Sequence, residues 1–127
     1  MFKKLQSVMV YVDDVEAAKE FWKTKFDFVV KETIELPEGY KGYDLAPNEA
    51  AETTMTLFSK AFIEKYSPEV NLGTPSLMFE VENIEALYEE SKNKGVEVGE
   101  LIEILGTKTF NFQDGQSNYF AVEEPVE

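Results

Sequence analysis

Apolar and polar residues alternate along 7–12, SVMVYV, so Val8, Val10 and Val12 fall on one face of an expected strand and Ser7, Met9 and Tyr11 on the other. The alternation returns at 76–81, SLMFEV, where Leu77, Phe79 and Val81 oppose Ser76, Met78 and Glu80. After each strand the period lengthens to that of a helix. Val15, Ala18, Phe21 or Trp22, and Lys25 or Phe26 mark the first helix, and Ile84, Leu87, Tyr88 and Ser91 mark the second more weakly. Asp14 and Asn83 stand at matching places and are expected N-caps, because their side-chain oxygens can accept the unpaired amides of the first turn. Gly95 supplies a left-handed stop for the second helix, while the first ends less cleanly near Phe26 and Asp27.

These two stretches are copies of one another. Residues 7–29 align on 76–98 without a gap, with identities at Ser7/Ser76, Met9/Met78, Val12/Val81, Glu16/Glu85, Ala17/Ala86, Glu20/Glu89, Lys23/Lys92, Lys25/Lys94 and Val29/Val98. Two copies are too few for a solenoid, so a closed pseudo-symmetric pair sharing one site is expected. Strand-like segments follow each helix, at 28–36, 40–45 and 53–58 in the first copy and at 96–104, 107–113 and 118–123 in the second. The turn signals Pro37, Gly39, Pro47 to Glu49, Gly106 and Asp114-Gly115 separate them. A short helix is expected at 60–66 and a linker at 67–73. The fold class is α+β, built from two tandem βαβββ units at about 1–66 and 74–127.

Composition narrows the classes of function. A chain of 127 residues with 43% apolar content can bury one core, so a single domain over 1–127 is expected. Cysteine is absent, which removes disulfide and thiolate chemistry. Asp13 and Asp14 end the first apolar run well before the length of a signal peptide or membrane span, and a cytoplasmic protein is expected. The 12 basic and 25 acidic residues give a net charge of −13, which repels phosphate backbones and anionic lipid and argues against nucleic-acid or membrane partners. Much of this charge reads as solvated helix faces and the tail residues Glu123, Glu124 and Glu127.

The repeated unit, the openings SVMVYVDDVEAAKEFW and SLMFEVENIEALYEE with NKGVEV, and the closing FNFQDGQSNYFAV resemble the vicinal oxygen chelate superfamily over essentially the whole chain. That group contains glyoxalase I, extradiol dioxygenases, methylmalonyl-CoA epimerase, fosfomycin-resistance enzymes and metal-free bleomycin-binding proteins. The resemblance implies curved mixed sheets around a groove, usually in a homodimer. In metal-dependent members, two His and two Glu from the first and fourth strands of each unit hold a divalent ion that polarises the substrate. On this chain those positions fall on Ser7, Thr56, Ser76 and Ala121. Three hydroxyls and a methyl do not supply the donors a divalent ion needs, and the chain has no His to restore them.

Loss of His also removes the usual general base and the Ser-His-Asp arrangement, so Ser7 and Ser76 read as polar lining rather than nucleophiles. Glu80, Tyr11, Tyr43 and Tyr119 remain as acid/base candidates. Asp44 is less well placed, on an expected edge strand where surface charge is ordinary. Trp22, Phe21, Phe26, Phe79, Phe112 and Phe120 fit the core between helix and sheet. The residues expected to line the groove are Ser7, Met9, Tyr11, Thr56, Phe58, Ser76, Met78, Glu80, Tyr119 and Ala121. This lining suits an aromatic or cationic organic compound without a metal or other cofactor. Stoichiometric capture, as in the antibiotic-sequestering branch of the family, is the first expectation. The alternatives are a glyoxalase- or dioxygenase-like enzyme with non-standard oxygen ligands, and a structural or regulatory dimer whose groove is filled by its own side chains.

Overall fold

The computed structural model describes residues 1–125, which form two compact units, Met1–Thr74 and a second beginning at Pro75. In the first, β1 (Ser7–Val12) leads into α1 (Val15–Phe26), followed by β2 (Val29–Glu35), β3 (Lys41–Ala46), β4 (Thr54–Ser59) and α2 (Lys60–Tyr66). In the second, β5 (Met78–Glu80) leads into α3 (Ile84–Asn93), then β6 (Ile102–Ile104), β7 (Thr107–Gln113) and β8 (Tyr119–Pro125). Each unit holds a four-stranded sheet, ordered β1-β4-β3-β2 and β5-β8-β7-β6. In both, the first strand pairs in parallel with the last and the remaining pairs are antiparallel. The duplicated sequence therefore gives a duplicated topology. Among the described residues, no helix is long and apolar enough to cross a membrane.

The alternation at 7–12 does what its pattern predicts. Val10 and Val12 are fully buried beneath α1 with Ala18, Trp22, Leu45 and Leu57. In the second unit Ile84, Phe110, Phe112, Phe120 and Val122 form the corresponding core. Phe21, Phe26 and Phe79, also expected in the core, are only half-buried. Phe21 and Phe26 pack edge-on to one another beside Trp22, where the helix flank is still open to solvent. The expected strand over 96–104 is shorter than its pattern suggested. Val98 makes an isolated bridge to Phe112, Gly99 donates its N–H to the Asn111 carbonyl, and regular pairing resumes only at Ile102.

The helix starts divide the two copies. Asp14 caps α1, its carboxylate accepting from the Ala17 amide at 3.0 Å. Asn83 does not cap α3. Its backbone sits in the left-handed region at φ 52°, and its side chain makes no capping bond. The cap comes instead from β8, where the Glu124 carboxylate accepts the Asn83 and Ile84 amides, each at 2.9 Å. The Ile84 amide, then that of Asn83, holds the Glu124 carboxyl below its ordinary range. A lowered folded-state pKa contributes stability that is complete above the unfolded value and is lost as pH falls through the folded one. Glu124→Gln is therefore expected to melt a few degrees lower than the native chain at neutral pH, with the difference shrinking on acidification. Melting curves of both proteins between neutral and acidic pH measure this, and a difference independent of pH would remove the capping role.

Candidate functional site

Strand register sorts the side chains of the first sheet into two faces. Residues paired across neighbouring strands share a face, so Met9 lies beside Thr56 and Thr56 beside Asp44, while Tyr11 lies beside Phe58 and Asp44 beside Glu32. The face turned away from α1 thus carries Ser7, Met9, Tyr11, Thr54, Thr56, Phe58, Asp44 and Glu32. Met9 is 42% exposed, a large apolar side chain left open to solvent. Phe58 lies over Gly42 and stacks on Phe62 of α2 at 6.3 Å between ring centroids. Its aromatic surface is thereby held against the sheet.

Within this face three polar groups form one chain. The Ser7 hydroxyl is hydrogen-bonded to the Thr56 hydroxyl, and Thr56 donates to the Asp44 carboxylate at 2.9 Å. Ser7 and Thr56 are thus brought together. Asp44 joins them because β3 lies between β2 and β4 rather than at an edge, which corrects the expectation for this residue. The edge reading failed because sequence alone does not show which strands flank β3. Tyr43, its neighbour, points the other way. It is 4% exposed, and its hydroxyl donates to Glu16 of α1. That bond holds the Glu16 carboxyl below its usual range and pushes the Tyr43 phenol up. Tyr43 is a sheet-to-helix tie, removed from the open face.

Thr54 offers a contrast two residues from Thr56. It is 7% exposed, and its hydroxyl has no hydrogen-bond partner among the described residues. A buried hydroxyl without a partner carries a desolvation cost, and valine has nearly the same shape. Thr54→Val is expected to stabilise the protein by about 1 kcal/mol, and Thr56→Val to destabilise it by roughly 1–3 kcal/mol by stranding Asp44 and Ser7. Urea unfolding of both variants tests this, and like signs would contradict the assigned bonding.

The second sheet repeats the arrangement with different chemistry. Met78 lies beside Ala121 and Ala121 beside Asn111, the places of Met9, Thr56 and Asp44 in the first sheet. Ser76, Asn111, Tyr119 and Ala121 line a shallow pocket of about 190 Å³. Ala121 has no hydroxyl, so the chain seen in the first sheet has no counterpart here. Tyr119 is 62% exposed and its hydroxyl accepts from Gln113 at 3.2 Å. Met78, beside Ala121, is 55% exposed. Glu80 is also exposed and lies directly beside Glu123, away from the pocket-lining residues.

Charge follows the same division. Among the described residues, every charged residue paired in register on the two open faces is acidic, namely Glu32, Asp44, Glu80 and Glu123. Lys41 and Lys108 fall on the opposite faces, and Lys108 is ion-paired there with Glu85 of α3. Asp44 and Thr54 join the first open face, and Asn111 and Glu123 the second, from outside the expected set. Their signal lay in strand pairing, which the alignment of 7–29 on 76–98 does not reach.

The donors expected of a metal-dependent member do not fit a divalent ion here. Ser7, Thr56, Ser76 and Ala121 provide neutral hydroxyls and a methyl, and Ser7 and Thr56 already bond each other. Among the described residues, no group of three Asp, Glu, His or Cys side chains converges on one point.

Comparison with known proteins adds to this geometry. Residues 4–120 match the profile of the Glyoxalase/Bleomycin resistance protein/Dioxygenase superfamily. YetH of Bacillus subtilis (strain 168) is 32% identical over 125 residues, spanning 98% of this chain and all of YetH. TnmS3, an antibiotic binding protein from Streptomyces sp. CB03234, superposes with a TM-score of 0.82 at 21% identity over 98% of both chains. A member of the same superfamily from Sphaerobacter thermophilus DSM 20745 also gives a TM-score of 0.82, at 19% identity over 97% of this chain and 98% of that one. At these identities the two structures bear on fold alone.

Proposed function

This chain belongs to the Glyoxalase/Bleomycin resistance protein/Dioxygenase superfamily, and from that premise we propose that it is a metal-free small-molecule binding protein that sequesters a cationic or aromatic compound. The observation that carries the reading is the composition of the open faces. Exposed Met9, Met78 and Tyr119 stand among hydroxyls, and the register-paired charges there are all acidic. Aromatic and thioether surfaces hold a flat organic ligand, and carboxylates favour a cation over an anion. The long-range field acts in the same sense, since a net charge of −13 raises the encounter rate with a cation. TnmS3, which shares the fold, is an antibiotic binding protein, and a small organic ligand is proposed for this chain only by that analogy of fold.

The proposed contacts are Ser7, Met9, Tyr11, Thr56 and Phe58 on the first sheet and Ser76, Met78, Glu80, Tyr119 and Ala121 on the second. Binding is by capture, with no catalytic residue, in a cytoplasmic homodimer. The test is thermal unfolding of EDTA-treated protein with divalent metals in one series and bleomycin, a cationic aromatic antibiotic, in another. A ligand at a hundredfold its Kd stabilises by about 2.7 kcal/mol, a shift of several degrees. A rise with bleomycin and none with metals is expected, and Tyr11→Ala and Tyr119→Ala should each weaken that rise. A saturable rise with one metal would overturn the metal-free reading, and unchanged affinity in both tyrosine variants would remove the assigned site.

A further inference from the structure

The direction of the Ser7–Thr56–Asp44 chain limits what the first sheet can bind. A carboxylate accepts hydrogen bonds and has none to give, whereas a hydroxyl has one proton and two lone pairs. Thr56 spends its proton on Asp44 at 2.9 Å. In its bond with Ser7 it can therefore only accept, so Ser7 must be the donor. Ser7 in turn has spent its proton and presents only lone pairs outward. Asp44 keeps further acceptor capacity at the other end. Thr56 is 4% exposed, so solvent has little room to reverse the order.

We propose that this chain makes the part of the first sheet's open face around Ser7, Thr56 and Asp44 acceptor-only, selecting a ligand that presents an N–H or O–H donor there, preferably an ammonium or amidinium, and rejecting carbonyl and carboxylate groups at Ser7. The inference rests on the small-molecule reading above and names the ligand chemistry of its first sheet. The second sheet lacks this restriction. Ala121 stands where Thr56 would, and Asn111, in the place of Asp44, offers a donor as well as an acceptor. The duplicated faces have thus become chemically unlike. Register-paired Glu32 and Asp44 add negative charge on the acceptor-only side, where a charge-assisted bond to a cation is stronger than a neutral one.

Two experiments test the proposal. Neutron diffraction from perdeuterated crystals at neutral pH locates the hydroxyl deuterons without any ligand. Deuterium on Ser7 aimed at Thr56, and on Thr56 aimed at Asp44, is expected, whereas deuterium on Asp44 with Thr56 donating to Ser7 overturns the polarity. The second is an NMR titration of the full chain with benzylammonium, acetophenone and benzoate, following the amides of Ser7, Met9 and Thr56. Benzylammonium is expected to bind this face about tenfold more tightly than acetophenone, with benzoate weakest. Asp44→Asn, checked for folding by its own amide spectrum, should remove most of that preference. Equal binding of all three probes, or an Asp44→Asn protein with undiminished preference, overturns the selection while leaving small-molecule binding intact. Failure of all three probes to perturb either sheet overturns both readings.

Discussion

Replacing Trp22 with alanine is expected to cost about 3–5 kcal/mol, a large share of the stability of a domain this size. Trp22 is 1% exposed and sits where α1 meets its sheet. Its ring contacts Phe21, Phe26 and Phe28, the last at 4.9 Å between centroids. Removing the indole leaves a cavity bounded by a sheet and a helix, neither of which can close over it without breaking its own hydrogen-bond ladder. Trp22→Phe should lose much less, because it keeps an aromatic ring in the same space. Urea unfolding followed by far-UV circular dichroism measures both, and a loss below about 1 kcal/mol in the alanine variant would mean that the indole is not the centre of this core.

The second large effect is expected at Gly42, where substitution reaches the open face directly. A Cβ built there lies 2.9 Å from Cε1 of Phe58 and 3.0 Å from the Leu57 carbonyl oxygen. The ring could turn aside, but the carbonyl belongs to β4 and can move only with the strand. Gly42→Ala is expected to cost about 1–3 kcal/mol, exceeding the few tenths to 1 kcal/mol that alanine returns by restricting the unfolded chain. It should also lift Phe58 from its seat and disturb the stack on Phe62. A double-mutant cycle with Phe58→Ala separates the two contacts. The alanine at 42 should cost less once the ring is gone, with the remainder belonging to the carbonyl. An unchanged cost would assign the strain to the backbone alone and remove Gly42 from any role in shaping the face.

Much of the fold was legible because its signals are local. Alternation at 7–12, the helical spacing from Val15 to Trp22, Asp14 as a cap, and the turn at Asp114-Gly115 each depend on residues within a few positions of one another. β7 and α2 have the bounds expected from the sequence. Where a partner comes from far along the chain, the local signal misled. Asn83 has the right residue type for a cap, yet Glu124, some forty residues away, takes its place. Asp44 looked like surface charge until β4 and β2 enclosed its strand.

The sequence by itself determined that the unit is duplicated and that each copy runs strand, helix and further strands. Those are statements about residue types and spacing, which the chain carries wherever it goes. The tertiary structure alone decided the direction of Tyr43, the seat of Phe58 over Gly42, and the joining of Ser7, Thr56 and Asp44 into one hydrogen-bonded chain. The physical reason is strand register: a side chain's face and its partners across a sheet depend on which residue of another strand lies beside it, and a shift of one residue would exchange the two faces.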